Sequence, residues 1–95
     1  MYARVTSFRV DPSRLGELQG KIKELTPVAR RLPGLIDMYA VWRADGQGVV
    51  TSIYQSKADA DAAIARIQAL WGTLADLLKA APSTDAYDTV QHIVG

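Results

Sequence analysis

The chain has 95 residues, 48% hydrophobic and 22% charged, and 11 Lys and Arg against 10 Asp and Glu leave a net charge of +1. This is the composition of one soluble domain with no basic field to draw nucleic acid or an anionic membrane, and its small core invites a second copy as supplement. With no cysteine and a single histidine, disulfides, thiolate chemistry, cysteine-held metals and a two-histidine metal motif within one chain are excluded.

No apolar run reaches the ~18 residues of a membrane span. The start Met1-Tyr2-Ala3-Arg4-Val5 lacks the features of a secretory leader, so the expected compartment is the cytoplasm.

Residues 2–10 read as a strand. Tyr2, Arg4, Thr6, Phe8 and Val10 share one face, and Ala3, Val5, Ser7 and Arg9 the other. Neither face is purely polar, so both sides of the strand are wanted. The face of Ala3, Val5 and Ser7 is read as the side toward the helices.

Asp11-Pro12 starts a helix, with a capping side chain followed by proline at the first helical position. It is expected to run to about Arg31, with Leu15, Leu18, Ile22, Leu25, Val28, Ala29 and Leu32 as its buried stripe. Glu17 and Lys21 form an i,i+4 pair. Pro27 should kink this helix or split it in two.

Pro33-Gly34 ends the helix and opens a hairpin. Residues 35–43 and 49–55 are rich in β-branched and aromatic residues, and they flank Ala44-Asp45-Gly46-Gln47-Gly48. Asp45-Gly46 supplies the tight reversal, and Gly48 is placed as a bulge. Ser56 then caps a second helix, with Asp59 three residues on. Its Ala-rich start gives way to Ile64, Ile67, Trp71, Leu74 and Leu78, one apolar seam, with Gly72 as a break. Residues 85–94 close the chain as a strand.

The order β-α-β-β-α-β is the ferredoxin-like pattern of an α+β fold. It predicts one domain over residues 1–95, with a four-stranded antiparallel sheet and both helices on one face. The other sheet face still carries large apolar residues and is expected to pair with a second copy across a two-fold axis, as a homodimer.

Three features carry a family resemblance: Phe8-Arg9-Val10-Asp11-Pro12 at the end of the first strand, Pro33-Gly34 before the second, and Ser56 with the Ala-rich helix after Ile53-Tyr54-Gln55. With these the chain resembles the dimeric α+β barrel superfamily, and within it the small antibiotic-biosynthesis-monooxygenase-like proteins. The resemblance spans nearly the whole chain and includes no diagnostic catalytic string.

What it implies is a pocket between sheet and helices. There an aromatic or quinol-type molecule loses a proton, becomes electron-rich and reacts with O₂ directly, without a metal or organic cofactor. The haem-degrading branch of the superfamily has an Asn, a Trp and a His at places that fall here on Ser7, Ala63 and near Thr73, and all three depart. Two other roles stay open: a non-catalytic small-molecule-binding or stress-related protein, and an isomerase or cyclase of the same fold.

Ser7, Trp42, Tyr54 and Trp71 are the candidate substrate-binding residues, and Tyr39, Tyr87 and Arg9 are further side chains of suitable chemistry. His92 and Ser7 are the candidates for catalysis. His92 alone has an unperturbed pKa near neutrality, though an interface histidine bonded to backbone would look the same in sequence. Trp71 reads first as a core residue and second as a pocket wall, and Ser7 first as a small core residue and second as a pocket hydroxyl. Trp42 and Tyr39 lie on opposite strand faces, so one at most meets the helix side. Arg4 and Asp37 are expected to pair across strands or across the dimer.

Overall fold

The computed structural model describes all of residues 1–95. The Asp45-Gly46 reversal forms where the sequence predicts. Gly46 takes φ 91°, its N–H donates to the Arg43 carbonyl at 2.9 Å, and the Arg43 N–H donates to the Gln47 carbonyl at 2.8 Å. This turn joins β2 (Leu35–Trp42) to β3 (Gln47–Tyr54). Its tip is tied to the end of β1 (Tyr2–Arg9), because the Val10 N–H donates to the Gly46 carbonyl at 2.9 Å. A Cβ on Gly46 would sit 1.9 Å from the Val10 carbonyl oxygen, so no side chain fits there.

A helical turn, Pro12–Arg14, leads into α1 (Leu15–Ala29). Asp11 caps the turn by accepting from the Ser13 N–H at 2.9 Å. That bond, and a second from the Ser13 hydroxyl, hold the Asp11 carboxyl below its ordinary pKa. The long second helix, α2 (Lys57–Thr73), is capped by Ser56, whose Oγ accepts from the Asp59 N–H at 3.1 Å. The final strand is β4 (Ser83–Tyr87).

The strands form one antiparallel sheet in the order β2-β3-β1-β4, with both helices on one face. This is the ferredoxin-like α+β architecture expected from the order of elements.

Several local expectations are corrected. Pro27 lies inside a single α1 rather than between two helices, and the Thr26 hydroxyl donates back to the Ile22 carbonyl at 2.7 Å. Gly72 does not break α2; the helix passes through it and ends at Thr73, with Leu74 as its cap before a turn over Ala75–Leu77. The bulge is at Leu35/Asp37, not at Gly48. Gly48 pairs regularly with Phe8 and Trp42, and the Phe8 ring crosses over it: a Cβ there would lie 2.3 Å from the ring.

Glu17 pairs with Arg14 and not with Lys21, which approaches Glu24 at 3.9 Å. Arg4 meets Asp61 on α2 at 3.2 Å and not Asp37. The last strand stops at Tyr87 because its pairing with β1 ends at Ala3↔Tyr87, next to the start of β1. Residues 88–95 run past the strand they would pair with and form no regular element.

The faces of β1 are the reverse of the expectation. Thr6, Phe8 and Val10 are buried toward the helices, and Ser7 and Arg9 are exposed on the far side. Two clusters fill the layer between sheet and helices. One gathers Phe8, Val10, Leu18, Leu74 and Leu77, with Trp71 packed beside them and its ring centroid 5.7 Å from that of Phe8. The other gathers Leu32, Tyr54, Ala60 and Ala63.

Candidate small-molecule site

Between these clusters the layer is not filled. A cavity of about 470 Å³ lies under α1, over the middle of β1, β2 and β3, and against the second half of α2. The strands supply its floor, with Thr6 and Phe8 from β1, Met38 and Ala40 from β2, and Val50 and Ser52 from β3. Period-two alternation puts these on one face, which is why residues two apart recur. Ile22, Leu25 and Ala29 of α1 form the roof at helical spacing, and Ile67, Leu70 and Trp71 of α2 form the far wall.

The cavity is apolar with a few hydroxyls. Of its 19 lining residues, 14 are hydrophobic. Thr6 and Ser52 are each only 6% exposed. The Ser52 hydroxyl donates to the Arg4 carbonyl at 3.4 Å, and Thr6 Oγ1 lies 2.8 Å from Thr84 Oγ1. Arg30 and Asp37 are the only ionisable residues among the lining residues; both are exposed, and Asp37, opposite Ile53, belongs by register to the open face of the sheet.

The residues singled out from sequence disperse. Trp71 lines the cavity. Trp42 packs against the Phe8 cluster outside the cavity and lines, with Ser7 and Arg9, a second hollow at the end of the sheet. Tyr54 points toward the helices, but it is fully buried against Leu32, Ala60 and Ala63, and its hydroxyl has no hydrogen-bond partner.

Ser7 is on the opposite face of the sheet. It borders a shallow trough of about 640 Å³ with Arg9, Val41, Arg43, Val49 and Ser83. Tyr39 and Tyr87 are exposed, and by register they lie on that open face. His92 lies in the irregular C-terminal stretch with its ring against Gly95, away from both hollows. Ser7 and His92 therefore do not converge with Trp71 on one site.

Sequence reasoning missed Thr6 and Ser52. The usable signal was Phe8: as the only phenylalanine and a bulky residue, it marks its own face of β1 as the core face, and Thr6 shares that face.

Electrostatic work in this molecule is done at the edges of the layer. Asp61 accepts from Lys57 Nζ at 2.7 Å and from Arg4 Nη2 at 3.2 Å. The hydrogen bond from Lys57 is the main cause that holds the Asp61 carboxyl below its ordinary pKa, with the Arg4 charge adding to it; the same bond raises Lys57. At the hairpin tip the Gln47 N–H donates to Asp45 at 3.0 Å and lowers that carboxyl.

No family model matches this chain, and no curated protein matches it. Solved structures do. A Nitrosomonas europaea protein of unknown function superposes with a TM-score of 0.82 at 17% identity, covering 99% of this chain and 93% of its own. A protein of the same organism, named as a putative antibiotic biosynthesis monooxygenase, gives 0.79 at 19% identity and covers 96% and 100%. An antibiotic biosynthesis monooxygenase gives 0.77 at 15%, covering 96% and 100%. At such identities what is shared is the fold, and it is the fold that the resemblance in sequence implied.

Proposed function

We propose that this chain, which has the fold of the antibiotic-biosynthesis-monooxygenase-like structures, binds an apolar aromatic or quinol-type molecule between its sheet and helices and acts on it as a cofactor-independent monooxygenase. The observation that carries the reading is the unfilled cavity of about 470 Å³ walled by Trp71, within the size range of ligand sites. An aromatic wall suits a flat ring, and a few hydroxyls among apolar side chains suit a molecule with a few oxygens.

In the reaction a quinol gives up a proton, its anion reduces O₂, one oxygen atom enters the product and the other leaves as water. The substrate supplies all the electrons. The protein's part is to hold the ring, exclude water and receive the proton.

Oxygen uptake with a panel of quinols and polyphenols tests this. Turnover by the native chain, and its loss when Ala40→Leu puts bulk on the cavity floor, are the expected results. No uptake with any of them removes the catalytic half of the reading.

A second reading, a non-catalytic small-molecule binder, is favoured by a specific observation: the only ionisable residues lining the cavity are Arg30 and Asp37, both exposed. An isomerase or cyclase would need a general base in reach, and neither His92 nor Ser7 stands at the cavity.

The open sheet face supports a homodimer. Tyr39, Val41 and Tyr87 are 65%, 61% and 51% exposed there, beside half-buried Val5, Val49 and Ile53. A second copy of the same face would cover them. Tyr39→Glu is expected to convert a dimer to a monomer in sedimentation velocity; a native chain that sediments as a monomer contradicts the proposal.

A further inference from the structure

A phenol or quinol buried in this cavity meets no ionisable side chain that could take its proton, because Arg30 is a cation and Asp37, opposite Ile53 in the register, belongs to the open face of the sheet. It does meet Thr6. Thr6 is 6% exposed and lines the cavity, and its Oγ1 is 2.8 Å from Oγ1 of Thr84, directly opposite in the sheet register. Thr84 is an exposed residue of the edge strand β4 and is not part of the cavity wall. Opposed residues share a face, so the two hydroxyls in contact lead along the helix side of the sheet from the cavity to its exposed edge. A hydroxyl donates one hydrogen bond while accepting others, so each can receive a proton on one side and release one on the other. Chains of such bonds polarise one another.

We propose that the Thr6–Thr84 pair is the proton exit of the cavity, and that it selects ligands with a phenolic or enolic hydroxyl. This rests on the reading of the cavity as a binding site and deepens it. The ligand O–H donates to Thr6 Oγ1. That bond breaks as Thr6 takes the proton and passes its own to Thr84, and Thr84 releases its proton to water. The ligand is left as the anion. Both threonines return to their starting state when their hydroxyls rotate back, and no redox step is involved. Thr6 is the residue that touches the ligand, and Thr84 is a positioning residue that acts through it.

The test uses a cyano-substituted 2-naphthol, whose hydroxyl becomes strongly acidic on excitation and which emits at different wavelengths as the neutral and the anionic form. Binding is read by quenching of Trp71 in a Trp42→Phe background, and proton release by the ratio of anion to neutral emission. The bound probe is expected to emit largely as the anion. Thr84→Val, an exposed change of nearly equal shape, is expected to lower the ratio several-fold without changing affinity. Thr6→Val should do the same with somewhat weaker binding.

A probe that binds and keeps the native ratio in both variants overturns the relay, since its proton then leaves by the mouth. A bound probe that emits only as the neutral form in the native chain overturns it as well. A probe that never enters the cavity removes the binding reading itself, and the relay with it, which is a different result from binding with an unchanged ratio.

Discussion

The two halves of the layer between sheet and helices are built from the same elements and end differently. Under the first turns of α2, Ala60 and Ala63 let the helix sit close to the sheet, and Tyr54 fills what space remains. Under its last turns, Ile67, Leu70 and Trp71 stand against Phe8 and α1, and a cavity stays open between them. Small side chains close an interface because nothing holds the backbones apart. Large ones act as props, and the gaps between props remain unless another side chain reaches in. The cavity therefore follows from where bulk is placed along α2.

The largest effect should come at the closed end. Tyr54→Ala leaves a hole among fixed alanines and is expected to cost about 3–5 kcal/mol in a urea titration. The same enlargement made at both ends sharpens the contrast. Ala63→Leu has nowhere to put its atoms and should cost about 1–3 kcal/mol. Ala40→Leu points into the cavity and should cost less than about 1 kcal/mol, if it costs anything, while abolishing ligand binding. Equal costs at the two sites would mean that the ends are packed alike.

Tyr54→Phe removes a buried hydroxyl that has no partner, so stability should hold or rise by up to about 1 kcal/mol. A clear loss would show that a buried water serves that hydroxyl.

The smallest effect lies at the rim of the closed end. The Asp61 carboxyl is held below its ordinary value in the folded chain, so its contribution is present above the unfolded carboxylate range and is lost as pH falls through the folded value. Asp61→Asn should lower the melting temperature slightly at neutral pH and converge with the native chain at the acid end, so that the acid limb of a plot of melting temperature against pH is flatter. An identical acid limb in the variant would break the assignment.

The contrast between the two ends was only half legible in the sequence. The order of elements, the Asp45-Gly46 turn and the Ser56 cap could be read because each depends on residues close together in the chain. The faces of β1 could not be settled by alternation alone. Both sets of residues mix apolar and polar types, and Arg4 sits on the core face because Asp61, 57 residues away, pairs with its guanidinium. Ser7 was placed in the pocket by that reversal. Trp71 was placed correctly as a seam residue, but whether the seam was filled depended on how far α1 stands from the sheet. The length of β4 is hidden for a similar reason, since a strand extends only as far as its partner and the register ends at Ala3↔Tyr87.

The open end of the layer is proposed to take a flat apolar molecule. The direct measurement is a titration of the Trp42→Phe chain with 2-naphthol, in which Trp71 is the only tryptophan left. Saturable quenching of Trp71 at one site per chain is expected, absent when Ala40→Leu is added. Trp71 emission that naphthol leaves unchanged, or quenching that survives Ala40→Leu, would contradict it.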